Sequence, residues 1–349
     1  MKFDIKVLQG IMDKAVESGE ECGLQLVIYD HGEKAVDLCA GFADRQRSIP
    51  VTEKTLFPIY SCGKGVMSAA FHILAEREIV RYDDKVVDYW PEYGCNGKEA
   101  TLIWQALTHR AAVSARPVVS CMDEMGDWEL MCKMLAEAKP ANVPGGVCSY
   151  HGLTFAWLIG EVASRASGVF FRDFIRQEIL EKLNIENDFF FGTDAESDAR
   201  MAEVDGPEDA WCREFITSDK VRHGFVPSAN GVATAAALAR IYAGITWGVD
   251  GAAPLLKAET IENAAIVRRA WHDPITPTWA KFGLGWALPY APESSAVFGH
   301  GGALGGEGFA DRERGIAVAF LKNHVTPTHP VHPVRDQLAQ AMGMEVRHW

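Results

Sequence analysis

Ser61-Cys62-Gly63-Lys64 sets a hydroxyl and an amine three residues apart, just ahead of an apolar stripe of Val66, Ala69, Ala70, Ile73 and Leu74 at helical spacing. The serine then falls at a helix N-terminus, and the lysine lies one turn on, on the same face. A serine hydroxyl needs a base to become a nucleophile. A lysine serves only when burial or neighbouring cations bring its pKa from about 10.4 towards about 7 or 8. The unpaired N–H groups and positive dipole end of the helix favour negative charge on an attacked carbonyl oxygen. The bland alternative is an N-cap serine followed by a solvated lysine, and about one Ser-x-x-Lys is expected by chance in a chain of this length. The pair therefore needs companions.

Two further segments carry suitable groups. Pro144-Gly145-Gly146-Val147-Cys148-Ser149-Tyr150-His151 is a turn-rich lead into a second helical stripe of Phe155, Leu158, Ile159 and Val162. A tyrosine beside an ammonium can share one proton with it, so Lys64 and Tyr150 form a candidate proton-transfer pair. In Phe298-Gly299-His300-Gly301-Gly302-Ala303-Leu304-Gly305-Gly306, β-forming residues run into glycines that let a substrate approach the backbone closely. Leu304 breaks the Gly-x-Gly-x-x-Gly spacing, no Walker A pattern precedes Lys64 or Lys98, and no serine sits in a Gly-x-Ser-x-Gly elbow. A phosphate-cradling role and an α/β-hydrolase are both unsupported.

These segments must be positioned by something. Leu24 to Asp30 and Lys34 to Gly41, separated by His31-Gly32-Glu33, read as a β-hairpin. Ala296 to Phe298, Gly308 to Ala310 and Ile316 to Leu321 read as strands near the other end, and the proline-rich His324 to Pro333 stretch reads as a connection before a last helix. Neither strand set makes a stable sheet alone, so the expected fold is α/β (α+β), an antiparallel sheet built from N- and C-terminal strands flanked by helices with an inserted, mainly helical lobe. The expected division is a sheet lobe over 1–60 and 220–349 and a helical lobe over 61–219, with the active site in the cleft between them.

The three elements occur in the order and approximate spacing of the serine β-lactamase and penicillin-binding superfamily, which uses Ser-x-x-Lys, then a Tyr element, then a Lys-Thr-Gly-like strand motif. The chain resembles most closely the class C β-lactamases and the related family VIII carboxylesterases. Thr55-Leu56-Phe57, Leu107-Thr108-His109, Tyr150-His151-Gly152-Leu153-Thr154, Asn230-Gly231 and Phe282-Gly283-Leu284-Gly285-Trp286 extend the likeness over nearly the whole chain. The resemblance implies that Ser61 is acylated, that Lys64 and Tyr150 activate it, and that His300 stands where the superfamily has the lysine of Lys-Thr-Gly. It also implies an oxyanion hole from the N–H groups of Ser61 and Ala303, with Gly301, Gly302 and His151 among the substrate-binding residues. Two departures matter. Tyr150-His151-Gly152 lacks the asparagine of Tyr-x-Asn, and His300 is neutral for much of the population near pH 7 where a lysine offers a permanent cation.

The expected function is a serine hydrolase acting on small carboxylic esters. A β-lactamase, a D-amino-acid peptidase and a non-catalytic binding protein on the same fold are the alternatives. The net charge of −13 works against phosphate-backbone binding, so no nucleic-acid partner is expected. No apolar run reaches the roughly 18 residues of a membrane span, and the charged N-terminal stretch lacks the unbroken apolar core of a secretory signal, so a cytoplasmic location is expected. Eight cysteines without a Cys-x-x-Cys pair read as buried free thiols. His324, His329 and His332 lie among prolines without a matching carboxylate or cysteine set, so neither a metal nor any other cofactor is expected.

Overall fold

Along strand β1 (Gly23–Asp30) the side chains alternate between two apolar environments rather than between core and solvent. Leu24, Leu26 and Ile28 enter one core cluster, Val27 and Tyr29 the other, so this strand is buried on both faces. The computed structural model describes residues 3–207, 211–266, 268–272, 279–288, 296–325 and 332–344. β1 forms the expected hairpin with β2 (Glu33–Gly41) and pairs on its other side with β10 (Ile316–Lys322), Leu24 opposite Lys322 and Asp30 opposite Ile316. Strands β8 (Val297–Gly301) and β9 (Glu307–Asp311) complete a five-stranded antiparallel sheet in the order β2-β1-β10-β9-β8. The two ends of the sequence therefore close one sheet, as their separate β patterns require.

Helices cover both faces. Helix α1 (Ile5–Glu17) packs on the outer face beside α6 (Pro333–Ala341), with Leu8, Met12, Val334 and Leu338 against Leu26, Val318 and Phe320. The Asp4 side chain caps α1 by accepting from the Val7 N–H at 3.2 Å. On the inner face lies α5 (Ala235–Thr246), capped by Thr234 and packed against β1, β9 and β10. Beyond it, α2 (Cys62–Glu76) packs on β8 and β9 from one side and on α4 (Thr154–Ser167) from the other. One apolar core runs from Val27 and Ala319 on the sheet through Val66 to Phe155 and Ile159.

Three short strands escape the sequence pattern, β3 (Phe57–Pro58), β4 (Phe189–Phe191) and β5 (Gly231–Ala233), which form a small sheet in the order β3-β5-β4. Runs of two and three residues are too brief for alternation to show. A further pair, β6 (Arg269–His272) and β7 (Trp279–Phe282), is antiparallel. The cysteines correct the expectation in part. Cys22, Cys62, Cys132 and Cys148 are buried and none is in a disulfide, but Cys95 and Cys121 are exposed, because both stand in surface connections between helices. Among the described residues no helix is long and apolar enough to cross a membrane, and no cluster of metal-ligating side chains occurs. His329 lies outside the described residues.

Candidate active site

The site is built on the first turn of α2. Strand β3 leads through Ile59 to Tyr60, a fully buried residue with φ of 46°, in the left-handed region that a side chain other than glycine rarely adopts. Its hydroxyl donates to the Cys212 carbonyl at 2.7 Å and so holds the kink. The chain then turns straight into the helix at Ser61, which already has helical dihedrals and makes no side-chain capping bond. Ser61 thus holds the N-cap position without spending its hydroxyl on the cap, and its Oγ is left for other work.

Lys64 is fully buried, and its Nζ lies 2.9 Å from Ser61 Oγ and 2.9 Å from the Ser228 carbonyl oxygen. Burial holds the amine well below its ordinary pKa, since no carboxylate stands among these partners to offset the loss of water. Nζ donates to both the Ser61 hydroxyl oxygen and the Ser228 carbonyl, and on losing a proton it can keep the Ser228 bond and turn a lone pair to the Ser61 hydroxyl. Ser228 is itself fixed. Its hydroxyl donates to the Leu153 carbonyl at 2.9 Å, and Asn230 ties the loop by accepting from the Val226 N–H and donating to the Val221 and Gly224 carbonyls. The helix is pinned from the other side by the Trp286 indole, which donates to the Gly65 carbonyl at 3.0 Å, and by Ser68, which donates to the carbonyls of Lys64 and Gly285. Gly65 admits no side chain, because a methyl group there would collide with the Tyr242 hydroxyl.

Tyr150 reaches this turn from a separate loop. Helix α3 (Ile103–Leu107) delivers His109 and Arg110, whose carbonyls accept from the Ser149 and Gly145 N–H groups at 3.0 and 2.7 Å. The half-buried Tyr150 ring has Lys64 Nζ 5.0 Å from its centroid. Around it stand Phe282, stacked at 6.1 Å, His300 at 6.1 Å and His109 at 4.9 Å. His151 departs from the expected substrate contact. Its ring is completely buried, with Nδ1 donating to the Ser149 carbonyl at 2.6 Å and Nε2 accepting from the Val113 N–H at 3.3 Å. Both nitrogens bind backbone, so this side chain shapes the loop that carries Tyr150.

His300 sits on β8 and donates from Nδ1 to the Gly301 carbonyl at 2.7 Å, which leaves Nε2 as a lone-pair acceptor. Burial, reinforced by the nearby Lys64, brings its pKa down to about 3, so the imidazole is neutral at physiological pH. After Gly301 the strand swings against the nucleophile. A methyl group on Gly302 would collide with the Ile59 carbonyl oxygen, so the turn after Gly301 lies close against the segment that leads into Ser61. Neither the Ser61 nor the Ala303 N–H donates to a backbone carbonyl among the described residues.

The fold thus brings together Ser61, Lys64, Tyr150, His300 and the Gly301 to Ala303 turn, and it adds three groups that sequence reasoning assigned no role: His109, Phe282 and the Ser228 carbonyl. His109 and Phe282 belong to the segments that carry the family resemblance, which was the available signal. A backbone carbonyl has no residue signature at all.

The Beta-lactamase family model matches residues 8–342. A Mycobacterium tuberculosis protein named Esterase/beta-lactamase LipL is 29% identical over 333 residues, covering 87% of this chain and 77% of that protein. Among solved structures, a penicillin-binding protein homolog from Caulobacter crescentus superposes with a TM-score of 0.88 at 29% identity, covering 97% of this chain and 96% of that one. A family VIII carboxylesterase superposes with a TM-score of 0.87 at 26% identity and the same coverage.

Proposed function

Because the chain belongs to the Beta-lactamase family, we propose that this serine hydrolase is an esterase of small carboxylic esters working through a covalent acyl-Ser61 intermediate. The observation that carries the reading is the buried Lys64 amine, 2.9 Å from Ser61 Oγ and without an anionic partner. Lys64 takes the Ser61 proton as Oγ attacks the ester carbonyl carbon, and the N–H groups of Ser61 and Ala303 receive the oxyanion. Collapse expels the alkoxide, which Tyr150 protonates while Lys64 passes its proton to Tyr150. Water then adds to the acyl carbon, gives its proton back through the same pair, and Ser61 leaves as the hydroxyl with the free carboxylic acid as second product.

The neutral His300 favours ester over β-lactam substrates, because an uncharged imidazole acceptor holds a carboxylate far less firmly than a cation. Labelling with a fluorophosphonate followed by peptide mapping tests the assignment, with Ser61 as the expected adduct. Ser61→Ala should abolish both label and ester turnover while unfolding at the wild-type temperature. Turnover surviving in that variant would end the acyl-Ser61 mechanism.

A further inference from the structure

Three features meet at His109. Its backbone has φ of 57°, in the left-handed region that a residue with a side chain seldom adopts. Its ring is completely buried, with Nδ1 accepting from the His151 N–H at 3.2 Å, which fixes the hydrogen on Nε2. That Nε2–H has no hydrogen-bond acceptor among the described residues, although a buried donor left unpaired is rare and destabilising.

The location gives the unpaired donor a purpose. The ring packs 4.9 Å from Tyr150 and 4.5 Å from Phe282, on the cluster that also holds His300. A tyrosine that gives up its proton leaves a phenolate, and a phenolate in a cleft needs donors. His300 offers none from Nε2, because its hydrogen is committed to the Gly301 carbonyl. We infer that His109 is a positioning residue for Tyr150, its free Nε2–H steadying the phenolic oxygen as that oxygen passes its proton during turnover. The inference rests on the proposed role of Tyr150. Burial holds the His109 pKa well below its ordinary value, and the titratable groups facing the ring, His151 on the Tyr150 loop, Lys64 on α2 and His300 on β8, add to that shift, so His109 serves as a donor without competing as a base.

Two substitutions separate the halves of the ring. His109→Asn places an acceptor where Nδ1 was and removes the outer donor. His109→Gln keeps an N–H near the Nε2 position and removes the acceptor that binds His151. With p-nitrophenyl butyrate, His109→Asn should lower kcat on the order of 10- to 100-fold with KM little changed, and Gln should recover most of that loss. Losing a donor to the phenolate raises the pKa of the proton-sharing pair, so the acid limb of the kcat/KM profile should move to higher pH in the Asn variant. In a Tyr150→Phe background His109→Asn should have no further effect. Wild-type kcat and pH profile in His109→Asn, or a Gln variant weaker than the Asn variant, would overturn the inference, the second being the order expected if only the His151 contact matters. If His109→Asn does not fold, His109→Gln decides alone, with retained turnover expected and a folded but inactive protein overturning it. A Tyr150→Phe enzyme with wild-type turnover would instead sink the role of Tyr150 itself, whatever the His109 variants do.

Discussion

Lys64 and Lys322 are both almost wholly buried, and the chain treats them in opposite ways. Lys322, on β10, meets the buried Glu21 carboxylate just ahead of β1. Burial pushes the Lys322 pKa down and the Glu21 pKa up, and their mutual attraction opposes both shifts, so the two are held as a pair that ties the start of the sheet to its last strand. Lys64 meets a hydroxyl and a carbonyl instead. With no carboxylate to share the loss of water, burial shifts Lys64 towards the neutral amine, the state that can take a proton. Burial beside an anion holds a lysine in a pair; burial without one shifts it towards the form able to take a proton.

The contrast breaks first at the chemistry. Lys64→Met and Tyr150→Phe should each slow acylation by roughly 10²- to 10⁴-fold, with the double variant no worse than the slower single, because the two share one proton. Burst kinetics that give the product of the single effects would show two independent groups. Lys322→Met should do the reverse. It leaves Glu21 buried and unpaired, with an expected loss of about 3 to 5 kcal/mol in urea unfolding, while kcat/KM of the folded protein stays at the wild-type value. A variant as stable as wild type would remove the structural role given to that pair.

Placing a permanent cation at residue 300 sharpens the comparison. His300→Lys should raise the ratio of nitrocefin to p-nitrophenyl butyrate acylation constants by roughly 10- to 100-fold, the equivalent of about 1.5 to 3 kcal/mol for a charged hydrogen bond. An unmoved ratio would dismiss the charge of residue 300 as the determinant. The smallest effect concerns acid. Burial brings His72 and His300 down to about 3 and His151 down to about 4. Above an unfolded-state value of about 6.5 these rings are neutral in both states and affect nothing, but below it the unfolded chain binds protons first. Stability should fall by about 1 kcal/mol per histidine over the first pH unit below 6.5 and continue to fall towards the folded-state values. A stability curve flat from pH 7 to 5 would contradict the neutral histidines on which the cleft depends.

Local geometry made part of this protein legible in its residues. The Ser61 to Lys64 spacing, the stripe from Val66 to Leu74 and the terminal strands all follow from the repeat of a helix or a strand, which involves only near neighbours. The order of the three motifs, read as a family likeness, supplied the candidate roles. What only the tertiary structure decided depends on groups brought together from far apart. The burial of Lys64 and its bond to the Ser228 carbonyl, 164 residues away, set its protonation state, and no periodicity reports either. The pairing of Lys322 with Glu21 spans 301 residues. His151, a neighbour of Tyr150 in sequence, spends both nitrogens on backbone, whereas His109, 41 positions before Tyr150, packs on its ring with an unpaired donor. Residue types determine which groups are present and how near neighbours are spaced, but solvent exclusion and the companions of a buried polar atom belong to the assembled core, and those set which lysine is held beside a carboxylate and which is left without one.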